Sequence, residues 1–304
     1  MNDQAGLLLL DKPQGLSSAQ ALNKVKRALG ARSAGHTGTL DPLATGMLPL
    51  VFGDATRLSS YMLSADKAYR VTGQLGVCTD TLDAEGAVTR TEPVPAHWQS
   101  GLDAALAPLC GRILQIPPQY SALKREGRPA YERARAGETV ELEAREVQIH
   151  QLKVIDAGVD FVELEVVCGK GTYIRSLIDD LGRALGCGAH VSMLRRLWVA
   201  PFTDAPMLSL RALLDDPAAA QAALQSPLAM IPHIPQISVD SVVATRLLNG
   251  QRVAGWHGKA PSGVVAVLTE GIMLALAELD QWGVLRPQRV FPQALKSAAP
   301  RTCR

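Results

Sequence analysis

Residues 35–50 read Gly35-His36-Thr37-Gly38-Thr39-Leu40-Asp41-Pro42-Leu43-Ala44-Thr45-Gly46-Met47-Leu48-Pro49-Leu50. The apolar residues follow neither a helical nor a strand period, and glycines and prolines punctuate them. The stretch therefore reads as an ordered loop that approaches a core, the kind of segment on which a rigid scaffold presents functional side chains. One carboxylate, Asp41, is fixed there between Leu40 and Pro42. Two roles stay open for it on the residues alone. It can cap a turn by accepting backbone amides, or it can be a partly desolvated acid that needs a cation partner to remain an anion.

Upstream, Gly6 to Leu10 is an apolar run, and Ser17 with Gln20 three residues on resembles a capping box. The helix that follows places Leu22, Val25 and Leu29 on one face, leaves Lys24, Lys26 and Arg27 largely off it, and stops at Gly30. Downstream, Tyr69 to Leu75 suits a strand. Phe161 to Cys168 alternates, with Val162, Leu164, Val166 and Cys168 on one side and Glu163 and Glu165 on the other, so a half-buried sheet is expected. Thr172 can then cap a helix with the apolar stripe Ile174, Leu177, Ile178, Leu181 and Leu185, ended by Gly186. Arg175 lies outside that stripe, where it serves either a surface pair with Asp179 or a site.

Residues 117–146 interrupt the sheet pattern with Tyr120, Lys124, Arg125, Arg128, Tyr131, Arg133 and Arg135. Cations interleaved with rings suit a nucleic acid, and equally a solvated amphipathic segment. Ile231-Pro232-His233-Ile234-Pro235 marks a boundary, after which Val264 to Leu268 and Ile272 to Ala277, around Glu270-Gly271, indicate a small barrel or sheet. The net charge of +2 is unevenly placed: residues 235–304 hold eight basic and four acidic side chains.

Several chemistries lose ground. There is no Walker A loop, no GxGxxG and no GxSxG. The five cysteines and six histidines show no metal-ligand spacing. Residues 81–92 mimic a calcium loop through Asp83, Glu85, Gly86 and Glu92, but Thr81 stands where the first acidic ligand belongs. The apolar run at Leu7–Leu10 is far short of a membrane span, so a cytoplasmic protein is expected.

The loop at 35–46 resembles the signature loop of the TruB family of bacterial tRNA pseudouridine synthases. In the same order and at the family's separations come Leu9-Leu10-Asp11-Lys12-Pro13, Asp66-Lys67-Ala68-Tyr69-Arg70-Val71, Tyr120-Ser121-Ala122-Leu123-Lys124, Lys170-Gly171-Thr172-Tyr173-Ile174-Arg175 and Gly188-Ala189-His190-Val191. The resemblance implies an α+β pseudouridine-synthase fold: a mixed, largely antiparallel central sheet flanked by helices, plus a small β-rich PUA-like C-terminal domain. It implies a catalytic domain at 1–234 with an RNA-binding insertion at 117–146, and an RNA-binding domain at 235–304.

It also implies an activity, the isomerisation of uridine 55 in the T loop of tRNA after base flipping. Asp41 would be the nucleophile, Arg175 its ion partner and Tyr69 the residue stacked on the uracil, with Leu194 against the other face. His36 would fill the vacated stack, and Lys12, Tyr173, Lys124 and Arg125 would meet the RNA. No cofactor and no metal are expected, because nothing is oxidised and no group is donated. The expected partner is the tRNA T arm, with no membrane, no obligatory protein or guide RNA, and a monomeric chain.

Overall fold

Leu7–Leu10 forms the middle of strand β1 (Gly6–Lys12), and its lack of alternation has a cause: both faces of the strand are covered. Leu8 and Leu10 enter one core with Val25, Leu48 and Leu50, whereas Leu7 and Leu9 enter another with Met47 and Val51. The computed structural model describes residues 5–120, 124–125, 128–129 and 142–292. Helix α1 (Ser18–Ala28) begins with the expected capping box, in which Ser17 and Gln20 exchange side-chain bonds to each other's backbone N–H.

Strands β2 (Ala34–His36) and β3 (Thr45–Phe52) bracket the Asp41 loop, and a short α2 (Ser59–Ser64) leads into β4 (Lys67–Leu75). A hairpin of β5 (Val77–Thr79) and β6 (Val88–Thr91), helix α3 (Leu102–Leu106) and strand β7 (Gly111–Gln115) follow. Next come the paired β8 (Lys124–Arg125) and β9 (Arg128–Pro129), then β10 (Arg145–Ala157), β11 (Phe161–Cys168), α4 (Ile174–Ala184) and β12 (Ala189–Val199). Strand β13 (Leu208–Ser209) and helices α5 (Leu210–Asp215) and α6 (Pro217–Ala222) complete this part.

Nine strands form one sheet in the order β13-β1-β3-β12-β4-β11-β10-β7, with β2 also paired to β3. The β1/β13 and β3/β12 pairs are parallel and the other pairs antiparallel, so the sheet is mixed and largely antiparallel. Strand β11 has the burial that its alternation foretells, with Val162, Leu164, Val166 and Cys168 inside. One expected cap is corrected. Thr172 turns back to the carbonyl of Gly169, and the helix α4 N-cap is Tyr173, whose side chain makes no capping bond. Gln115 on β7 supplies the partner instead, its Oε1 accepting the Tyr173 N–H at 2.7 Å and its Nε2 donating to the Tyr173 carbonyl at 3.0 Å.

The edge of β3 changes partner along its length. Strand β1 pairs with it throughout, while β2 holds Leu50 to Phe52 and β12 meets only Thr45 and Gly46 on the remaining edge. The Asp41 loop occupies the fork between β2 and β12.

The last strands, β14 (Gln236–Ser238), β15 (Gly263–Thr269), β16 (Ile272–Leu279) and β17 (Leu285–Val290), form a second sheet beside helix α7 (Ser241–Leu248). One face packs its own core of Leu247, Val265, Leu274 and Leu285. The other contributes Ala266, Leu268, Met273 and Leu276 to the core under Leu7, Leu9 and Met47. Among the described residues, no helix is long and apolar enough to cross a membrane.

At the fork, Gly46 has φ +97°, and a Cβ there would stand 2.1 Å from the Arg196 carbonyl oxygen. Gly46→Ala is therefore expected to force β3 and β12 apart and destabilise the protein by about 2 kcal/mol or more in urea unfolding, because clash and left-handed strain act together. A variant with unchanged stability refutes the close approach.

Candidate active site

The loop is held by the residues on either side of Asp41. Ser18, buried in the first turn of α1, clamps Leu40 in both directions: its Oγ accepts the Leu40 N–H at 2.8 Å and donates to the Leu40 carbonyl at 3.0 Å. The Pro42 carbonyl accepts the Gly15 N–H at 2.8 Å and faces the Lys12 ammonium at 3.4 Å. Ala44 N–H closes a turn on the Asp41 carbonyl at 3.1 Å. The carboxylate itself is left to act on what lies in front of it.

What lies there is Arg175, in the first turn of α4. Its Nε is 3.0 Å from Asp41 Oδ2 and its Nη1 is 3.5 Å from Asp83 Oδ2. Nη1 also donates to the Thr81 carbonyl at 2.7 Å, and Nη2 to the Tyr120 carbonyl at 2.8 Å. The guanidinium is thus fixed from several sides and shared by two carboxylates. Asp179 pairs with Arg183 instead, which removes the surface-pair reading of Arg175. The Asp41 side chain remains 36% exposed, whereas those of Arg175 and Asp83 are 6% and 5% exposed. Burial pushes the Asp41 carboxyl above its ordinary range; the charge of Arg175 opposes this, Asp83 adds to it and Lys12 opposes it again.

The period of a strand assembles the rest. Lys67 and Tyr69 alternate onto one face of β4, Leu194 and Arg196 onto the same face of β12, and Tyr69 is directly paired with Arg196. With Asp41, Arg175, Tyr173, Gly38 and Leu63 they line a cavity of about 320 Å³. Arg196 is 1% exposed and ties together both ends of the loop, its Nε donating to the Met47 carbonyl at 2.6 Å and its Nη2 to the Gly38 carbonyl at 3.0 Å. It also hydrogen-bonds the Tyr69 side chain, whose phenol is pushed above its ordinary range by burial.

The structure thus brings Asp41, Tyr69, Arg175, Tyr173 and Leu194 together in one cavity. His36 ends β2 at the fork and does not line it; burial and the nearby Arg196 hold its imidazole below the ordinary range, and its Nδ1 is buried without a hydrogen-bond partner. Lys12 is fully buried beneath the loop. Its ammonium is committed to the carbonyls of Pro13 at 2.9 Å, Leu16 at 2.6 Å and Pro42 at 3.4 Å, and burial lowers its pKa to about 8. Lys124 and Arg125 lie on β8, described in backbone only, and Tyr131, Arg133 and Arg135 lie outside the described residues.

Sequence reasoning missed Arg196 altogether, gave Lys67 no role, and met Asp83 only as part of a false calcium loop. Spacing held a signal for the first two, since each stands two residues from a cavity residue on an alternating strand. Among the described residues, no group of three or more His, Cys, Asp or Glu side chains could hold a metal.

The backbone resembles that of solved structures. The fold matches Cbf5 in the crystal structure of a Cbf5-Nop10-Gar1 complex, with a TM-score of 0.69 at 26% identity over 94% of this chain and 84% of that one. It also matches an archaeal box H/ACA sRNP Nop10-Cbf5 complex, with a TM-score of 0.69 at 25% identity over 95% of this chain and 86% of that one. The fold is therefore a pseudouridine-synthase fold.

Sequence comparison narrows the class. Residues 26–174 match the N-terminal domain of the TruB family of pseudouridylate synthases, residues 175–231 a tRNA pseudouridylate synthase B C-terminal domain, and residues 235–291 a pseudouridine synthase II TruB C-terminal domain. The tRNA pseudouridine synthase B of Aromatoleum aromaticum is 49% identical over 94% of this chain and 92% of its own. That of Xanthomonas campestris pv. campestris strain B100 is 48% identical over 97% and 96%, and that of Chromohalobacter salexigens 45% over 95% and 95%. The chain belongs to the TruB family.

The clamp on the loop can be tested directly. Ser18→Ala leaves the buried amide and carbonyl of Leu40 without their side-chain partner, so a loss of about 1–3 kcal/mol is expected in urea unfolding. Hydrogen exchange at the Leu40 amide should rise in the same variant; unchanged protection there refutes the clamp.

Proposed function

We infer that this protein isomerises uridine 55 in the T loop of tRNA to pseudouridine, in the manner of its family. The observation that carries the reading is the Asp41–Arg175 pair at 3.0 Å, opening on a cavity lined by Tyr69 and Leu194. That volume, about 320 Å³, is at the small end of ligand pockets and suits one extruded nucleotide.

In this reading Asp41 is the nucleophile, attacking the sugar or the base or serving an elimination. Arg175 keeps it ionised in a site whose dryness works against charge. Tyr69 stacks on the uracil, Leu194 packs its other face, Tyr173 borders it, and His36 takes the place that the flipped base leaves in the RNA stack. Lys12 serves the RNA through the loop, because its ammonium is committed to the carbonyls under Asp41.

Lys124 and Arg125, in the 117–146 segment, meet phosphates, and residues 235–304 form a PUA-like RNA-binding unit. The enzyme works as a cytoplasmic monomer without cofactor, guide RNA or protein partner. The many close relatives named tRNA pseudouridine synthase B favour this over a guide-dependent reading.

Purified protein and an unmodified T-arm hairpin labelled with tritium at uridine C5 test the whole reading. Tritium release without added guide RNA is expected from wild type, and none from Asp41→Asn, with hairpin affinity retained. Equal release by the mutant, or none by wild type until guide RNA is added, refutes it. A second measurement concerns the ion pair. Removing a cation raises a carboxyl pKa, so in Arg175→Met the acid limb of the pH–rate profile, scanned from about pH 5 to 8, should move to higher pH. The maximal rate should fall by about 100-fold or more; an unmoved limb refutes the role.

A further inference from the structure

The cavity holds a feature that the Asp41–Arg175 pair leaves unexplained. Lys67 and Arg196 line it side by side, 8% and 1% exposed. Among the described residues, neither has a carboxylate within ion-pair distance, whereas Arg175 in the same cavity has two. Both face Gly38: a Cβ on that glycine would stand 3.4 Å from Arg196 Nη1 and 3.8 Å from Lys67 Cε. Two buried like charges with no carboxylate in ion-pair range are an expensive arrangement, since desolvation and mutual repulsion add. Burial, then Arg196, lower the Lys67 ammonium to about 8. A pair kept in that state is poised for an anion that arrives from the cavity.

We propose that Lys67 and Arg196 form an anion-stabilising pair that binds a carbonyl oxygen of the flipped uracil and takes up the negative charge that reaches it during the reaction. The inference rests on the uridine-isomerising reading above. Donors are available for it. The ammonium has three N–H groups, of which two are given to the carbonyls of Leu63 and Ala65 at the end of α2. Arg196 has five, and Met47, Gly38 and Tyr69 do not exhaust them.

The chemistry demands such a pair whichever atom Asp41 attacks. Attack at C1′ breaks the C1′–N1 bond and sends its electron pair into the ring, onto the carbonyl oxygens. Elimination of a sugar proton expels the same uracil anion. Addition of the carboxylate at C6 pushes the C5–C6 electron pair onto the O4 carbonyl. In each route the ring later bonds C1′ through C5, the bond to the Asp41 carboxylate breaks or the removed sugar proton returns, C5 loses its proton and N1 gains one, so nothing is oxidised or reduced. Preorganised donors at the oxygens lower the barrier without reorganising at the moment of reaction. The bland alternative, in which Lys67 only caps α2, predicts no effect on chemistry once the protein is folded.

The experiment uses full-length protein and the T-arm hairpin under single turnover, with affinity and thermal unfolding measured alongside. In Lys67→Met the rate should fall by about 100-fold or more with hairpin affinity within about threefold, and Lys67→Arg should retain the rate within about tenfold. Wild type should lose activity as pH rises through about 8, where Lys67 discharges. The titratable and charged groups acting on it are Arg196 on β12, Cys168 on β11 and Asp66 before β4; the Cys168 thiol is pushed up to about 11 by burial and does not titrate there.

Lys67→Arg should move this alkaline limb upward. If the limb stays in place it belongs to Lys12, and the proposal falls. It falls equally if Lys67→Met reacts within about threefold of wild type, or loses only affinity. Should Lys67→Met not fold, the Lys67→Arg profile decides alone. Absence of pseudouridine with wild type would instead sink the reading of function on which this rests.

Discussion

The position of one carboxylate depends on how the backbone on either side of it is satisfied. A loop that enters a core brings buried N–H and C=O groups that need partners. Here the neighbours of Asp41 spend theirs on Ser18, Gly15 and Lys12, elements of the β1–α1 corner. Arg196, from across the sheet, takes the carbonyls of Gly38 and Met47. The loop is therefore built from two sides of the fork in β3, and the Asp41 carboxylate is not needed to hold it. That separation between what holds the loop and what faces the cavity lets a carboxylate be both rigid and unspent.

Charge around the loop follows a different logic from stability. Lys12, Lys67, Arg175 and Arg196 are all buried near a single partly exposed acid, with Asp83 the other carboxylate at the site. Desolvation lowers both lysines to about 8, so the fold gives up part of the favourable solvation of these groups to keep them there. A core designed for stability alone would replace them with apolar side chains. Local costs of this kind gather at sites where a ligand, when present, compensates them.

Much of this was readable from residues, and the unread remainder has physical reasons. The α1 capping box, the alternation of β11 and the hairpin around Glu270-Gly271 are local, so sequence order contains them. The loop at 35–46 was legible as an ordered loop, but Asp41 could not be told from a turn cap, because its partner lies 134 residues on in α4 and the pairing exists only after the sheet has formed. Family resemblance supplied Tyr69, Arg175 and Leu194. Arg196 escaped because a charged residue on a strand reads as facing water, and only the fork, with Gly46 held against its backbone, puts it inside. The cap of α4 was misassigned for a like reason: Thr172 was the near candidate, and Gln115 was 58 residues away.

The C-terminal sheet looks in sequence like a separate attachment after Pro235, yet its inner face completes the core beneath β1 and β3. Leu7, Leu9 and Met47 are covered by Ala266, Leu268, Met273 and Leu276, while the opposite face of the same strands packs on α1 under the Asp41 loop. Met47 spans the two environments: its side chain is in the shared core, its carbonyl accepts from Arg196, and its sulfur accepts the Val199 N–H at 3.3 Å. The thickness of one strand therefore separates the C-terminal core from the residue that closes the Asp41 loop. In an interior packed at crystal-like density, a shift on one side of that strand has no void to absorb it. The boundary at 231–235 is one of chain direction, and the physical unit that fixes Asp41 runs across it.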